Sequence, residues 1–174
     1  QNWDYSQTNF LPFFWKGFDA SVRYTYVIED LNDLCKIFQN FKNNIKSDIR
    51  KANEKFNIQV TSDVSLNSFI DLNKKTFFRQ DMSFPYSIES LIYLLQNLKK
   101  KNQCKWFIGQ DKYKNNHAGV LIIWDEESAY YLIGGGDPNL RSSGATSLCM
   151  WEAIKFASTV TKKFDFEGSM IEGV

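Results

Sequence analysis

The chain has 174 residues, a formal net charge of +1, and a composition that is 43% hydrophobic and 16% aromatic. This length and apolar content predict one domain with a sizeable core and exclude a largely disordered chain. The balanced charge gives no general attraction to polyanions, and no apolar run approaches the roughly 18 residues that a membrane-spanning helix needs.

An aromatic-rich segment precedes the first predicted elements. Residues 1–22 are interpreted as irregular, either packed on the body of the protein or a remnant of a preceding domain, and residues 23–174 as the main domain. A strand is predicted for 23–29 and a short one for 57–61, because both are rich in β-branched residues. Helices are predicted for 30–41, with Asp30 as N-cap, and for 43–55. Ser65 and Ser87 are typical N-caps of two further helices.

The second half of the sequence predicts a sheet. Three strands at about 104–110, 117–125 and 129–134 are joined by short polar links, which favours an antiparallel meander. A helix at about 144–160 and a strand at 164–167 follow. The sequence therefore predicts an α+β fold, a mainly antiparallel sheet with helices on both faces.

The three cysteines and the one histidine limit the available chemistry. Cys35, Cys104 and Cys149 are far apart in sequence, and His117 stands alone, so no metal-binding spacing exists. We expect reduced thiols in a cytoplasmic protein, with no metal site. Cys35 and Cys149 fall on apolar helical faces and are predicted to be buried. His117, with no triad context, is interpreted as structural.

The most informative segment is residues 130–138, in which an aromatic and β-branched run ends in Gly134, Gly135 and Gly136. A short polar loop and a helix start follow. A strand, a glycine-rich turn and a helix N-terminus together present backbone N–H groups to an anion. The alternative is that the glycines only supply a positive φ in a turn. The sequence alone leaves both interpretations open.

The helix start carries a family resemblance. Arg141, Gly144 and Thr146 stand in the order of the turn with which GNAT acyltransferases hold a donor pyrophosphate, although that turn has Gly or Ala where Thr146 stands. Other segments resemble the Fem-type (FemAB-like) branch, which includes peptidoglycan bridge-forming aminoacyltransferases of bacteria. These segments are residues 11–18, 24–27, 48–52, 76–80, 130–137 and 164–169. Fem-type proteins usually have two such halves, so the resemblance implies one half here, without its closing hairpin.

The resemblance implies transfer of an acyl or aminoacyl group to an amine. Cell-wall peptide modification is one process that such a transfer would serve. The donor would be aminoacyl-tRNA or acyl-coenzyme A, with no tightly bound cofactor. Arg141, Gly144, Ala145 and Thr146 are the expected donor-binding residues, although Arg141 is equally typical of a solvated loop. The basic helix at 43–55 would contact a transfer RNA, or be merely solvated.

The acceptor side is expected near the last strand. In the alternating run 164–167, Asp165 and Glu167 should share one face, where carboxylates can bind an ammonium group and take its proton. Glu167 is the preferred catalytic candidate, whereas a structural role is favoured slightly for Asp165. The groove for the acceptor substrate is expected to include Arg79, Gln80, Tyr131 and Asp137. The alternative functions are an acetyl-coenzyme A dependent N-acetyltransferase and a non-catalytic binding module of the same shape.

Overall fold

The structure is a computed structural model that describes residues 4–21, 24–85 and 87–168. The helices and strands follow one another in the order α1 (Leu11–Phe14), β1 (Val27–Ile28), α2 (Leu34–Asn40), α3 (Asn43–Glu54), β2 (Gln59–Thr61), α4 (Leu66–Phe78), α5 (Ile88–Lys100), β3 (Cys104–Gln110), β4 (Asn116–Trp124), β5 (Ser128–Gly136), a single 3-10 turn (Arg141–Ser143), α6 (Ala145–Ala157) and β6 (Lys163–Asp165). No helix among these residues is long and apolar enough to span a membrane.

The strands form one mixed sheet in the order β1-β6-β5-β4-β3-β2. Every neighbouring pair is antiparallel except β5 and β6, which are parallel. The meander β3-β4-β5 confirms the three predicted strands, and β5 is longer at its end than predicted because it includes all three glycines.

Helices cover both faces of the sheet, which confirms the predicted α+β architecture. On one face, α3 and α6 bury a core that contains Ile49, Cys149 and Phe164. On the other face, α4 and α5 bury a second core around Phe69 and Leu95. Adjacent residues of a strand point to opposite faces, so each strand residue can be assigned to the α6 side or the α4 side.

The helix starts confirm the predicted caps in two of three cases. The Ser65 hydroxyl accepts a hydrogen bond from the Ser68 N–H at the start of α4, and Ser87 does the same at the start of α5. The first long helix instead begins at Leu34, with Asp33 as its N-cap, so the prediction of Asp30 was wrong. The Asp30 carboxylate accepts from the Asn32 N–H and forms a turn before the helix.

The N-terminal segment differs from the prediction in two ways. It contains the short helix α1, and the Phe14, Trp15 and Phe18 side chains are exposed rather than packed on the body. Among the described residues, this segment contacts the end of β1 through a polar pair, since the Tyr5 hydroxyl donates to the Glu29 carboxylate.

The cysteine prediction is half right. Cys149 lies on the inner face of α6 and is fully buried, and Cys104 is buried at the start of β3. Cys35 is exposed, because the helix that carries it begins later than predicted and only Ile37 of that helix is buried.

Two irregularities of β5 shape the end of the sheet. The strand has a bulge at Leu132, since Ile122 pairs with Tyr131 and Leu121 with Ile133. Furthermore, β6 pairs with β5 only as far as Tyr130 and Asp165. Beyond that point, within the described part of the chain, β5 continues to Gly136 without a strand partner on that side. We call this stretch, residues 131–136, the open edge of β5.

Candidate functional site: the open edge of β5 and the start of α6

The three glycines do not form a turn. Gly134, Gly135 and Gly136 pair with Val120, Gly119 and Ala118 of β4, and none of the three has a positive φ. The interpretation of these residues as a phosphate-binding turn, or as turn glycines with positive φ, was therefore wrong. Their function is to let other groups approach the strand closely, as the following contacts show.

The N-terminus of α6 follows the open edge after eight residues of loop and turn, 137–144. Gly144 precedes the helix with φ 78°, a left-handed conformation that glycine adopts without strain. Gly144 has no side chain with which to cap the helix. The Ser143 hydroxyl accepts a hydrogen bond from the Ala145 N–H at 3.3 Å. The first-turn N–H groups of Thr146 and Ser147 have no acceptor within an α-helix, so they can face an anion.

Helix α3 supports this turn. The Asp48 backbone carbonyl of α3 lies directly against Gly144, where any side chain would have to be. Gly144 and Ala145 are consequently buried, whereas Arg141 and Thr146 are exposed. Of the four residues expected to bind a donor, only Arg141 and Thr146 thus have accessible side chains, and Gly144 and Ala145 contribute through the backbone.

Two side chains of α4 bind the open edge of β5. The Asn73 Nδ2 donates to the Gly134 carbonyl at 2.5 Å, and the Gly136 N–H donates to the Thr76 hydroxyl at 3.0 Å. They take the place of the missing neighbouring strand. Neither was proposed from the sequence, although an asparagine beside Phe69, Ile70 and Leu72 on the apolar face of a predicted helix was a usable signal.

Tyr131 lies on the opposite side of this edge. Its hydroxyl occupies the space where a Gly134 side chain would be, on the α6 face of the sheet. Burial raises the pKa of Tyr131, so its phenol stays protonated and can donate a hydrogen bond. Of the predicted substrate-binding residues, Tyr131 is the one that lies directly at the open edge.

The other predicted substrate residues have different surroundings. Asp137 follows β5 and forms an ion pair with Lys75 of α4 at 2.6 Å, and this lysine lowers the pKa of the carboxyl. Asp137 therefore ties the strand to α4. Arg79 is the C-cap of α4, and Arg79 and Gln80 are both exposed.

The two predicted acids lie at and just after the point where β6 leaves β5. Asp165 accepts hydrogen bonds from the Thr25 hydroxyl and from the Glu167 N–H, the latter at 2.8 Å, so it shapes the turn. Phe164 is buried on the α6 side, which places Asp165 on the α4 side. Glu167 is exposed and has φ 61°, so it is outside the strand and the predicted alternation ends at Phe166.

The register of the sheet gives the distance between the start of α6 and the two acids. Asp165 is opposite Tyr130, whereas Ala145 packs on Gly109 of β3, at the level of Gly136. Six strand residues correspond to roughly 20 Å. A donor held at the α6 N-terminus must therefore extend along the open edge to react near Asp165 and Glu167.

His117 contributes a buried polar pair at the same end of the sheet. Its Nε2 lies 3.3 Å from the Asp111 carboxylate, and its Nδ1 has no partner among the described residues. The described residues contain no cluster of three or more side chains suited to a metal ion. His117 also accepts the Asp137 N–H through its backbone carbonyl, which fits the structural role expected for it.

Some basic side chains in and just after α3 already contact other residues of the protein. Lys46 donates to the Gln39 carbonyl at 2.6 Å, and the Lys55 ammonium lies 5.8 Å from the Phe56 ring. The face is therefore only partly available to a polyanion.

Comparisons with known proteins agree with this fold. The model of the acetyltransferase (GNAT) domain family matches residues 39–168. The crystal structure of FemX is 12% identical with a TM-score of 0.73, and the match covers 86% of this chain and 54% of FemX. A conserved protein of unknown function from Bacteroides thetaiotaomicron is 15% identical with a TM-score of 0.66, with 89% and 53% covered.

These two solved structures share the fold, and this chain spans about half the length of each. No curated protein sequence matches. The family match runs from α3 to the end of β6 and therefore includes the open edge of β5 and the start of α6. The chain belongs to the acetyltransferase (GNAT) domain family.

Proposed function

We propose that this domain transfers an acyl or aminoacyl group from a phosphate-bearing donor to a primary amine. The observation that carries the proposal is the open edge of β5, which begins where β6 departs and ends at Gly136, at the level of the start of α6. Because Asn73 and Thr76 bind Gly134 and Gly136 from the α4 side, a donor would lie against the α6 side of this edge. An extended donor can lie along such an edge, with its anionic end at the helix and its acyl group near Tyr131.

The donor would be held mainly by the start of α6. The Thr146 and Ser147 N–H groups and the helix dipole favour a phosphate group there. The exposed Arg141 guanidinium adds a forked cation that matches phosphate oxygens. The family membership makes acyl-coenzyme A the first donor to test, and the Fem-type resemblance makes aminoacyl-tRNA the second.

The reaction requires a neutral amine and a protonated leaving group. The amine nitrogen attacks the acyl carbon, the C–N bond forms, and the C–S bond of a thioester or the C–O bond of an ester breaks. The nitrogen loses a proton to a base, for which Glu167 is the candidate, directly or through water. The leaving sulfur or oxygen gains a proton, for which the Tyr131 phenol is the candidate donor because its hydroxyl lies at the open edge beside Gly134.

Cell-wall peptide modification in the bacterial cytoplasm is the biological context that we propose. It is supported by the Fem-type segments of the sequence and by the structural similarity to FemX. Transfer RNA as a partner is supported by the basic residues of α3, which flank the contact with Gly144.

Equilibrium binding of acetyl-coenzyme A and of alanyl-transfer RNA tests the donor site. Arg141→Gln should weaken the true donor about tenfold or more, since it removes a charge-assisted hydrogen bond. Lys100→Gln removes an exposed positive charge at the far end of α5 and should leave binding unchanged. Binding of acetyl-coenzyme A alone would identify an N-acetyltransferase, and binding of neither donor would leave a non-catalytic module and refute the proposal.

Turnover tests the catalytic assignment separately. Glu167→Gln keeps the shape of the side chain and removes the charge, and should lower the rate by about 10²–10⁴ if the carboxylate is the base. Asp165→Asn should have a smaller effect on rate, because the Asp165 carboxylate mainly accepts hydrogen bonds from the local turn. Full activity of Glu167→Gln would remove Glu167 from the mechanism.

A further inference from the structure

Asn73 is a buried polar residue with an unused acceptor. Its side chain is 1% exposed, and its Oδ1 has no hydrogen-bond partner among the described residues. The amide cannot be reversed to remove this orphan, since the Gly134 carbonyl can only accept and must face the Asn73 Nδ2. An unpaired buried acceptor is costly in a native structure, which suggests that a ligand supplies the missing donor.

The glycines of β5 explain how Asn73 reaches this position. A Cβ on Gly135 would lie 2.6 Å from the Asn73 Cα and 2.9 Å from the Leu72 carbonyl oxygen. Gly135 therefore admits the backbone of α4 directly onto the strand. From there the Asn73 side chain reaches the open edge, where its Nδ2 binds the Gly134 carbonyl and leaves Oδ1 without a partner among the described residues.

Two polar groups consequently meet at Gly134 from opposite faces of the sheet. The Tyr131 hydroxyl approaches from the α6 side, and the Asn73 amide approaches from the α4 side. Thr76, one turn further along α4, binds the same edge through Gly136, and the helix then leads to the exposed Gln80.

We propose that the Asn73 Oδ1 accepts a hydrogen bond from the amino group of the acyl acceptor and holds it at Gly134, beside the Tyr131 hydroxyl. The inference rests on the proposed function, because it assigns the second substrate of the same site. A carbonyl oxygen can pair only with a donor, so a carboxylate or phosphate on the acceptor cannot fill this position. Asn73 thus favours a hydrogen-bond donor such as an amine over an apolar group of the same shape.

A matched pair of probes tests the selection. Nα-acetyl-L-lysine methylamide carries a primary amine, and Nα-acetyl-L-norleucine methylamide has the same carbon chain without it. We expect wild-type protein to bind the lysine probe about tenfold or more tightly, as one hydrogen bond to a charged donor predicts. The Asn73 side-chain amide resonances in ¹⁵N spectra should shift with the lysine probe only.

Two variants separate ligand binding from a purely structural role. Asn73→Ala should abolish the preference for the lysine probe. Thr76→Val removes a comparable hydrogen bond between α4 and β5 and should keep the preference. If Asn73→Ala does not fold, Asn73→Ser and the wild-type resonance shifts carry the test.

Equal affinity of wild-type protein for both probes, or loss of the preference in Thr76→Val alone, would overturn the inference. Donor binding is measured separately, which keeps the two proposals apart. A protein that binds a donor but shows no preference for the lysine probe retains the proposed function and loses this one. A protein that shows the preference but binds no donor retains an amine site and loses the proposed function.

Discussion

Tyr131 and Gly134 lie on the same face of β5 although three positions separate them. In a regular strand such residues point to opposite faces, and the bulge at Leu132 adds the one residue that brings them together. The Tyr131 hydroxyl consequently occupies the space that a Gly134 side chain would need. The bulge and the glycine together place a phenol at the open edge.

Gly134→Ala should displace the Tyr131 ring while the fold is retained. The added methyl group would meet the end of a side chain rather than backbone, and overpacking of this kind costs about 1–3 kcal/mol. In a Tyr131→Phe background the closest atom is gone, so the loss of stability should be smaller. Urea denaturation of the four proteins measures the coupling, and strictly additive losses would contradict this placement of the phenol.

Gly135→Ala should be more destabilising than Gly136→Ala. At Gly135 the new Cβ would lie 2.6 Å from backbone of α4, which cannot move without separating the helix from the sheet. At Gly136 the nearest atom is the His117 carbonyl oxygen at 3.2 Å, and a small shift can relieve it. Thermal unfolding should rank the two variants in this order, and the reverse order would mean that α4 does not rest on Gly135.

The sequence predicted the elements better than their contacts. Periodicity and capping residues located the helices and the meander because these signals are local. The glycines were assigned to a turn because glycine is common there, whereas the reason for Gly135 is a helix more than sixty positions away. The role of Asn73 depends on the same long-range contact. Glu167 was placed in a strand because nothing local indicated its positive φ.

Gly144→Ala should destabilise the protein, because this position supports the packing of α3 as well as the start of α6. A side chain at Gly144 would be strained by φ 78° and would collide with the Asp48 backbone. Gly17→Ala is the matched control, since Gly17 has φ 85° and open space around it. Gly17→Ala should cost about 1–2 kcal/mol for the left-handed backbone, and Gly144→Ala clearly more. Equal melting temperatures would exclude the contact with α3.

One of the three thiols should react quickly with a maleimide. Cys35 is exposed, whereas burial raises the pKa of Cys104 and raises that of Cys149 to about 12. The thiolate is the reactive form, so both buried thiols should stay unlabelled in native protein at neutral pH. Peptide mapping by mass spectrometry identifies the labelled site, and Cys35→Ser should abolish fast labelling. Fast labelling of Cys149 would show that α6 opens readily.

Asp111 should make stability depend on pH between about 4 and 2. Its pKa is lowered from 3.8 to about 2, first by the hydrogen bond from the Asn115 side chain, and further by backbone N–H groups and His117. A folded-state pKa below the unfolded value means that the stabilisation is fully present above pH 3.8 and is lost as pH falls towards 2. Asp111→Asn should lower the melting temperature at pH 7 and flatten this acid limb. Asp71→Asn is the control, because the Asp71 carboxylate makes only a 3.7 Å contact with Lys74. Melting curves from pH 2 to pH 7 test this dependence on Asp111. An unchanged acid limb in Asp111→Asn would mean that other carboxylates control acid unfolding and that the β3–β4 turn does not depend on this charge.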